Sequence, residues 1–272
     1  MVLIIGCGYV GTYVGLALQS KHSVVVSARS ETTLYNLRKI FPFVEHLDTS
    51  NLDELAKAVD QHEIIIITLA AKNPNFYEST YLETAKNLKA ILENNKSVRQ
   101  ILYTSSTSVY GEHEGRLLDE STPLMTSSFQ GEILVDTEET LLSLDTDKRK
   151  VVIFRLGEIY GPGREITNRI LSYQDKPAPG NGEFPTNMIH VEDITRAMSY
   201  AIEHKLQGVF NLVDDEHMTR KDLYHAVCLQ ASLPQVHWDP SLKTHHSSNK
   251  IVSNAKIKNA GFSFKFSKRA LI

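Results

Sequence analysis

The sequence predicts a doubly wound α/β protein: a parallel sheet covered by helices on both faces, with a small C-terminal lobe. Three observations carry that expectation. Short apolar runs alternate with helix-period segments through the first half of the chain, and strands separated by helices pair parallel through right-handed crossovers. One run, Glu63–Thr68, contains four successive isoleucines, and a strand that is apolar at every position has both faces covered. The pattern Gly6-x-Gly8-x-x-Gly11 stands between the first apolar run and the helix that follows it.

The expected strands are Val2–Ile5, Ser23–Ser27, Phe43–Glu45, Glu63–Thr68, Gln100–Thr104 and Val151–Arg155. The expected helices between them are Gly11–Ser20, Glu31–Ile40, Asn51–Val59, Asn75–Glu93 and Ser128–Leu144. Asn51 with Glu54 three residues on reads as an N-terminal cap. After Gly157 the texture changes. Gly161-Pro162-Gly163 and the stretch 177–185 are loop-like, with helices expected near 165–173, 192–204 and 220–229 and strands near 188–189 and 209–212. We therefore expect a dinucleotide-binding core over residues 1–156, and a mixed region over 157–272 that adds late core elements and a small substrate lobe.

The bulk numbers narrow the classes. The chain has 272 residues and a formal net charge of -3, which gives no electrostatic case for nucleic acid or an anionic membrane surface. The run from Ile64 to Ala71 is too short to span a bilayer, and no basic segment precedes the first strand as a secretory signal would need. Cys7 and Cys228 are the only cysteines, so a reducing cytoplasm is the expected setting. His245-His246 lack a further ligand at zinc spacing, and no metal is assigned.

In this architecture ligands bind beyond the carboxyl ends of the strands. The glycine loop Gly6-Cys7-Gly8-Tyr9-Val10-Gly11 has the context of a dinucleotide site. Gly6 permits the tight turn, Gly8 lets backbone approach a pyrophosphate, and Gly11 lets helix and strand pack closely. The helix N-terminus offers N–H groups to the phosphates; a glycine turn kept only for packing is the competing reading. An acidic residue at the end of the second strand selects NAD. Here Ser27-Ala28-Arg29-Ser30 offers Arg29 instead, either a fork for the 2′-phosphate of NADP or a solvated surface arginine. NADP is the cofactor expected, NAD the alternative. Asp48 after the third strand is placed on the adenine amino group or in a helix cap. Cys7, beside a helix N-terminus, is either a thiol of lowered pKa or a small residue filling a tight loop.

Further segments carry a resemblance. Leu69-Ala70-Ala71 follows the fourth strand. Tyr103-Thr104-Ser105-Ser106-Thr107-Ser108-Val109-Tyr110-Gly111 ends the fifth. Phe154 to Arg164 and Asn187-Met188-Ile189-His190-Val191-Glu192-Asp193 come later. In this order they resemble the extended, epimerase/dehydratase-like branch of the short-chain dehydrogenase/reductase superfamily. The resemblance implies a small-molecule substrate and a homodimer formed through the helices 75–93 and 128–144. It places the cofactor against Leu69, Ala70, Ala71 and Ser105 and the carbonyl-orienting hydroxyl at Ser106.

The family's chemistry uses a tyrosine and, four residues later, a lysine on the helix after the fifth strand, as general acid–base and ribose holder. Matching Gly131 and Glu138 to the family puts Gln130 and Leu134 in those places. The chain is therefore expected to be atypical. Tyr110 is a substitute acid or a packing residue, Glu132 and Asp136 an acid–base pair or a solvated face, and Asp119-Glu120 caps. Tyr173–Lys176 lies beyond the sixth strand and reads as surface. Thr186 stands where nucleotide-sugar enzymes of this branch often carry an arginine. Arg164 and Asn187 are the substrate-side candidates, Arg155 is tied to the sixth strand's end, and His190 is structural, bonded to a loop carbonyl. The leading expectation is an NAD(P)-dependent oxidoreductase or epimerase-like protein acting on a small polar substrate. A non-catalytic NADP(H) sensor and a nucleotide-sugar epimerase or dehydratase are the alternatives.

Overall fold

The computed structural model describes residues 1–126, 128–242 and 248–269. By backbone contacts the chain forms two compact units. The first holds Met1–Val109, Ser127–Arg155 and Ile194–Phe210, and the second holds Tyr110–Thr126, Leu156–Asp193 and Asn211–Ile272.

Strands and helices alternate along the first part of the chain: β1 (Val2–Ile5), α1 (Tyr9–Leu18), β2 (Val24–Ala28), α2 (Glu31–Leu37), β3 (Val44–His46), α3 (Leu52–Asp60), β4 (Ile64–Ile67), α4 (Glu83–Leu92), β5 (Gln100–Ser106), a two-residue β6 (Leu117–Leu118), α5 (Phe129–Leu142) and β7 (Lys150–Leu156). Then come β8 (Glu158–Tyr160), α6 (Ile166–Leu171), β9 (Ala178–Pro179), β10 (Met188–His190), α7 (Val191–Glu203), β11 (Gly208–Leu212), α8 (Arg220–Ala231), β12 (Trp238–Asp239), β13 (Ile251–Val252) and α9 (Ala255–Asn259).

Seven strands form the central sheet in the order β11-β7-β5-β4-β1-β2-β3. β1 pairs parallel with β2 and β4, with Ile5 opposite Ser27 and Ile67, so three strand ends fall at one edge. The doubly wound expectation is met. The order reverses at β1, so β1 and β4 part to their two sides there, and such a switch point is where this architecture binds ligands. Val2, Leu3 and Ile4 are 0% exposed and Ile5 1%, the two-sided burial that continuous apolar runs imply.

The caps follow sequence. Asn51 accepts from the backbone N–H groups of Asp53 and Glu54, and its amide donates back to the Glu54 carboxylate at 2.9 Å. Ser128 caps α5 by accepting from Gly131 N–H. The helix expected over 75–93 is broken up. A 3₁₀ turn over Pro74–Phe76 and a π turn over Glu78–Leu82 precede α4. A π turn adds a residue to the helical repeat and re-aims the side chains after it.

In the second unit β8 pairs parallel with β10, β9 with β12 and β6 with β13. Its apolar cluster joins Tyr160, Ile166, Ile170 and Met188 to Leu223, Tyr224, Val227 and Cys228. Among the described residues no helix is long and apolar enough to cross a membrane.

Candidate functional site

The glycine loop begins where β1 ends. Cys7 N–H donates to the Ser27 carbonyl at 2.8 Å, and Thr68 Oγ1 donates to the Gly6 carbonyl at 3.0 Å, so β2 and β4 hold the turn from both sides. Gly6 has φ +80°, a conformation that L side chains rarely adopt, and a Cβ there would lie 2.5 Å from Leu69 Cδ2. At Gly11 a Cβ would meet Thr68 Oγ1 at 2.6 Å. Gly8 differs. A Cβ there would find nothing within 4 Å, so protein packing does not account for glycine at this position. Gly8 is also the N-cap of α1, and no side chain caps that end. A helix N-terminus without a side-chain cap, approached over a bare Cα, is a ready-made phosphate cradle, and the residues fit a dinucleotide.

Cys7 is a packing residue. It is 2% exposed, and burial pushes its thiol up to about 11, a hydrogen bond with the Thr12 hydroxyl opposing the shift. The lowered pKa that a reactive thiol needs is not present here. Arg29 is exposed at the end of β2, beside Ser30, whose Oγ caps α2. Asp48 Oδ1 accepts from the N–H of Ser50 at 3.0 Å and from its Oγ at 2.7 Å. Those bonds hold its carboxyl below the ordinary range, with smaller contributions from Arg29 and His46. Asp48 thus holds the turn that leads into α3, whose cap is Asn51, and Arg29 lies within its electrostatic reach.

The segment after β4 is fixed from α4's approach, where Ala71 N–H donates to Tyr81 Oη at 3.0 Å. At the end of β5 the two serines part company. Ser105 Oγ donates to Glu138 Oε1 at 2.5 Å, so its hydroxyl is committed inside the protein. Ser106 is half-buried; its Oγ accepts from Ser108 N–H at 3.1 Å, and among the described residues its own proton is given to none. Glu138 and Arg155 form a buried ion pair, with side-chain exposures of 2% and 6%; Arg155 is tied in as expected. On α5, Gln130 is half-buried and Leu134 is buried, and Leu134 offers neither a donor nor a charge.

The second unit holds Tyr110, Arg164 and Asn187. Tyr110 is 0% exposed, and its hydroxyl donates to Asn211 Oδ1 at 2.9 Å, the geometry of a packing residue rather than of a proton donor to substrate. Asn187 braces the chain: its amide donates to the Lys250 carbonyl at 2.9 Å and its Oδ1 accepts from Val252 N–H at 2.8 Å. Arg164 is exposed in the turn after Gly163. Thr186 is buried, donating to the Met218 carbonyl and accepting from Arg269.

His190 is structural but bonded differently from expectation. Its Nδ1 accepts from Glu192 N–H at 3.2 Å and its ring stacks on Phe266 at 3.7 Å. Asp119 accepts from Ser121 in a tight turn, and Glu120 caps Asn211 N–H at 2.7 Å. No group of three metal-ligating side chains occurs among the described residues; His245-His246 lie outside them.

Two residues escaped sequence reading. Tyr81 sits in a π turn, which leaves no mark in the apolar periodicity. Lys250 is 5% exposed, with Nζ donating to the Gly111 carbonyl at 3.2 Å and to Ser248 Oγ. Burial pushes its ammonium down to about 8, with Glu112 opposing.

Strand order, switch point and glycine loop define a dinucleotide-binding α/β protein of the Rossmann type. The sequence profile of the NAD dependent epimerase/dehydratase family matches residues 2–212, and the chain belongs to that family. Protein YeeZ of Escherichia coli strain K12 is 26% identical over 276 residues, covering 97% of this chain and 96% of its own length. Two solved structures share the fold. The human epimerase family protein SDR39U1 (isoform 2), with NADPH, is 17% identical, with a TM-score of 0.79 over 98% of this chain and 96% of that one. The UDP-N-acetylglucosamine 4-epimerase of Methanobrevibacter ruminantium M1, in complex with UDP-N-acetylmuramic acid, is 18% identical, with a TM-score of 0.82 over 96% of this chain and 92% of that one.

Proposed function

We propose that this chain binds NADP(H) on its glycine loop and acts as an atypical oxidoreductase or epimerase-like enzyme on a small polar substrate, without the family's tyrosine–lysine dyad. The observation that carries the reading is Gly8, the loop glycine whose missing side chain no protein atom requires. A pyrophosphate laid over it would meet the α1 N-terminus, and Arg29, exposed after β2, would be the residue to hold a 2′-phosphate. A relative in fold is described with NADPH, in line with that choice.

A bound nicotinamide supplies hydride chemistry. The chain's own contribution is positional. Ser106, whose hydroxyl proton is uncommitted among the described residues, donates to a substrate carbonyl. Ser105, Glu138 and Arg155 brace the ends of β5 and β7 beneath it. Gln130 and Leu134 supply neither the phenol nor the ammonium of ordinary family members, so turnover of generic carbonyls is slow. Thr186, buried and committed to backbone and Arg269, speaks against a diphosphate grip, and hence against a nucleotide sugar.

The missing dyad favours a second reading: a protein that binds NADP(H) and reports redox state without turnover. Loss of NADPH absorbance across a panel of carbonyl substrates separates the two. The enzyme reading expects at least one substrate consumed by the wild type and spared by Ser106→Ala, with NADPH affinity unchanged in the variant. Binding without turnover across the panel supports the sensor. A brisk reaction that survives Ser106→Ala contradicts the assignment of Ser106.

A further inference from the structure

Tyr81 holds a hydroxyl at the ligand-binding edge of the first unit, and its proton has no taker among the described residues. The oxygen accepts Ala71 N–H at 3.0 Å, in the segment that follows β4. A phenol oxygen that accepts one bond still has a proton to donate, and among the described residues no acceptor receives it. The π turn over Glu78–Leu82 sets this side chain, and such turns recur at functional sites. Tyr77 stacks edge-on against it at 5.1 Å, while its ring packs on the core cluster that contains Tyr103 and Ile67. The hydroxyl is thus held by one backbone bond and a fixed ring.

We propose that the Tyr81 hydroxyl donates a hydrogen bond to the nicotinamide-half ribose of the bound dinucleotide, replacing the ammonium that Leu134 cannot supply. The inference rests on the dinucleotide reading of the glycine loop. The chemistry fits: a ribose hydroxyl is a neutral acceptor, and a phenol is a neutral donor. Burial comes first among the causes that raise the Tyr81 pKa, with the Ala71 bond opposing, so the group stays protonated and keeps its proton to share. This is a binding role, with no bond made or broken.

The test is equilibrium titration of the full chain with two probes, NADPH and adenosine 2′,5′-bisphosphate, which carries the adenine half and lacks the nicotinamide riboside. Tyr81→Phe keeps the ring and its packing and removes only the hydroxyl. The expected result is NADPH affinity weakened about three- to tenfold, the range of one net hydrogen bond, with the bisphosphate bound as by the wild type. Unchanged NADPH affinity overturns the inference. So does equal weakening of both probes, which is the signature of a disturbed Ala71 loop rather than a lost ribose contact. If Tyr81→Phe fails to fold, Tyr81→Leu, which also removes the hydroxyl, is titrated with the same two probes and judged by the same selective loss. A wild type that binds neither NADPH nor NADH overturns the glycine-loop reading and this inference together. Binding that Gly8→Asp abolishes and Tyr81→Phe leaves intact overturns this inference alone.

Discussion

The Arg155 guanidinium grips the Glu138 carboxylate with two nitrogens, Nε at 3.0 Å and Nη2 at 2.7 Å from Oε2. Glu138 is a buried residue of α5, the helix that carries Gln130 and Leu134. Its carboxylate also takes the Ser105 hydroxyl, so α5 still ties the end of β5 to β7. The helix thus has a structural duty of its own.

Breaking that pair on one side leaves a buried charge without its partner. Arg155→Met should cost about 3–5 kcal/mol, the range for such single removals, read as a lowered urea midpoint. Replacing both, Glu138→Leu with Arg155→Met, should recover much of the loss, because an apolar pair of similar volume needs no solvation. A double variant as unstable as the single one would show that the Ser105 bond, not the ion pair, carries the stability.

Arg29 should sort the cofactors. A charge-assisted bond to phosphate is worth about 1.5–3 kcal/mol, so Arg29→Ala should weaken NADPH about tenfold or more and leave NADH nearly unchanged. Titration of both cofactors reads it. Equal losses would mean that Arg29 never meets a 2′-phosphate.

Lys250 gives the fold a pH dependence of unusual sign. Its folded-state pKa, pushed down to about 8 from an ordinary 10.5, means that the folded chain releases this proton before the unfolded one does. Stability from this group therefore rises with pH between those two values, by roughly 3 kcal/mol at 1.36 per pKa unit. Below about pH 8 both states hold the proton and the buried ammonium works against the fold. Urea unfolding of wild type and Lys250→Met from neutral pH to pH 10 should show the wild-type curve climbing toward the variant's. Parallel curves would contradict the assigned burial of the charge.

The strands were legible because they are buried on both faces: four isoleucines in a row can be read as β4 without a structure. The Asn51–Glu54 cap was legible because capping is a local matter of spacing. Gly6, Gly8 and Gly11 could be found from their spacing, but only the structure separates two glycines held by packing from one whose Cβ would meet no other part of the described chain. The π turn before α4 was hidden, since one inserted residue leaves the apolar pattern nearly intact. Lys250 was hidden too: a lysine between Asn249 and Ile251 reads as surface, and its burial goes with a bond to the Gly111 carbonyl, far away in sequence. Tyr110 could be read either as acid or as packing until Asn211, about a hundred residues on, was seen to take its hydroxyl bond.

The proposed dinucleotide lies over Gly8. Isothermal titration of wild type and Gly8→Asp with NADPH tests it most directly, with thermal melting of both as the control for folding. The wild type should bind saturably. Gly8→Asp should bind none, since its carboxylate would occupy and repel the pyrophosphate position, while the melting temperature stays close to wild type because, its own chain neighbours aside, nothing among the described residues lies within 4 Å of the new Cβ. NADPH bound equally by both chains would contradict it.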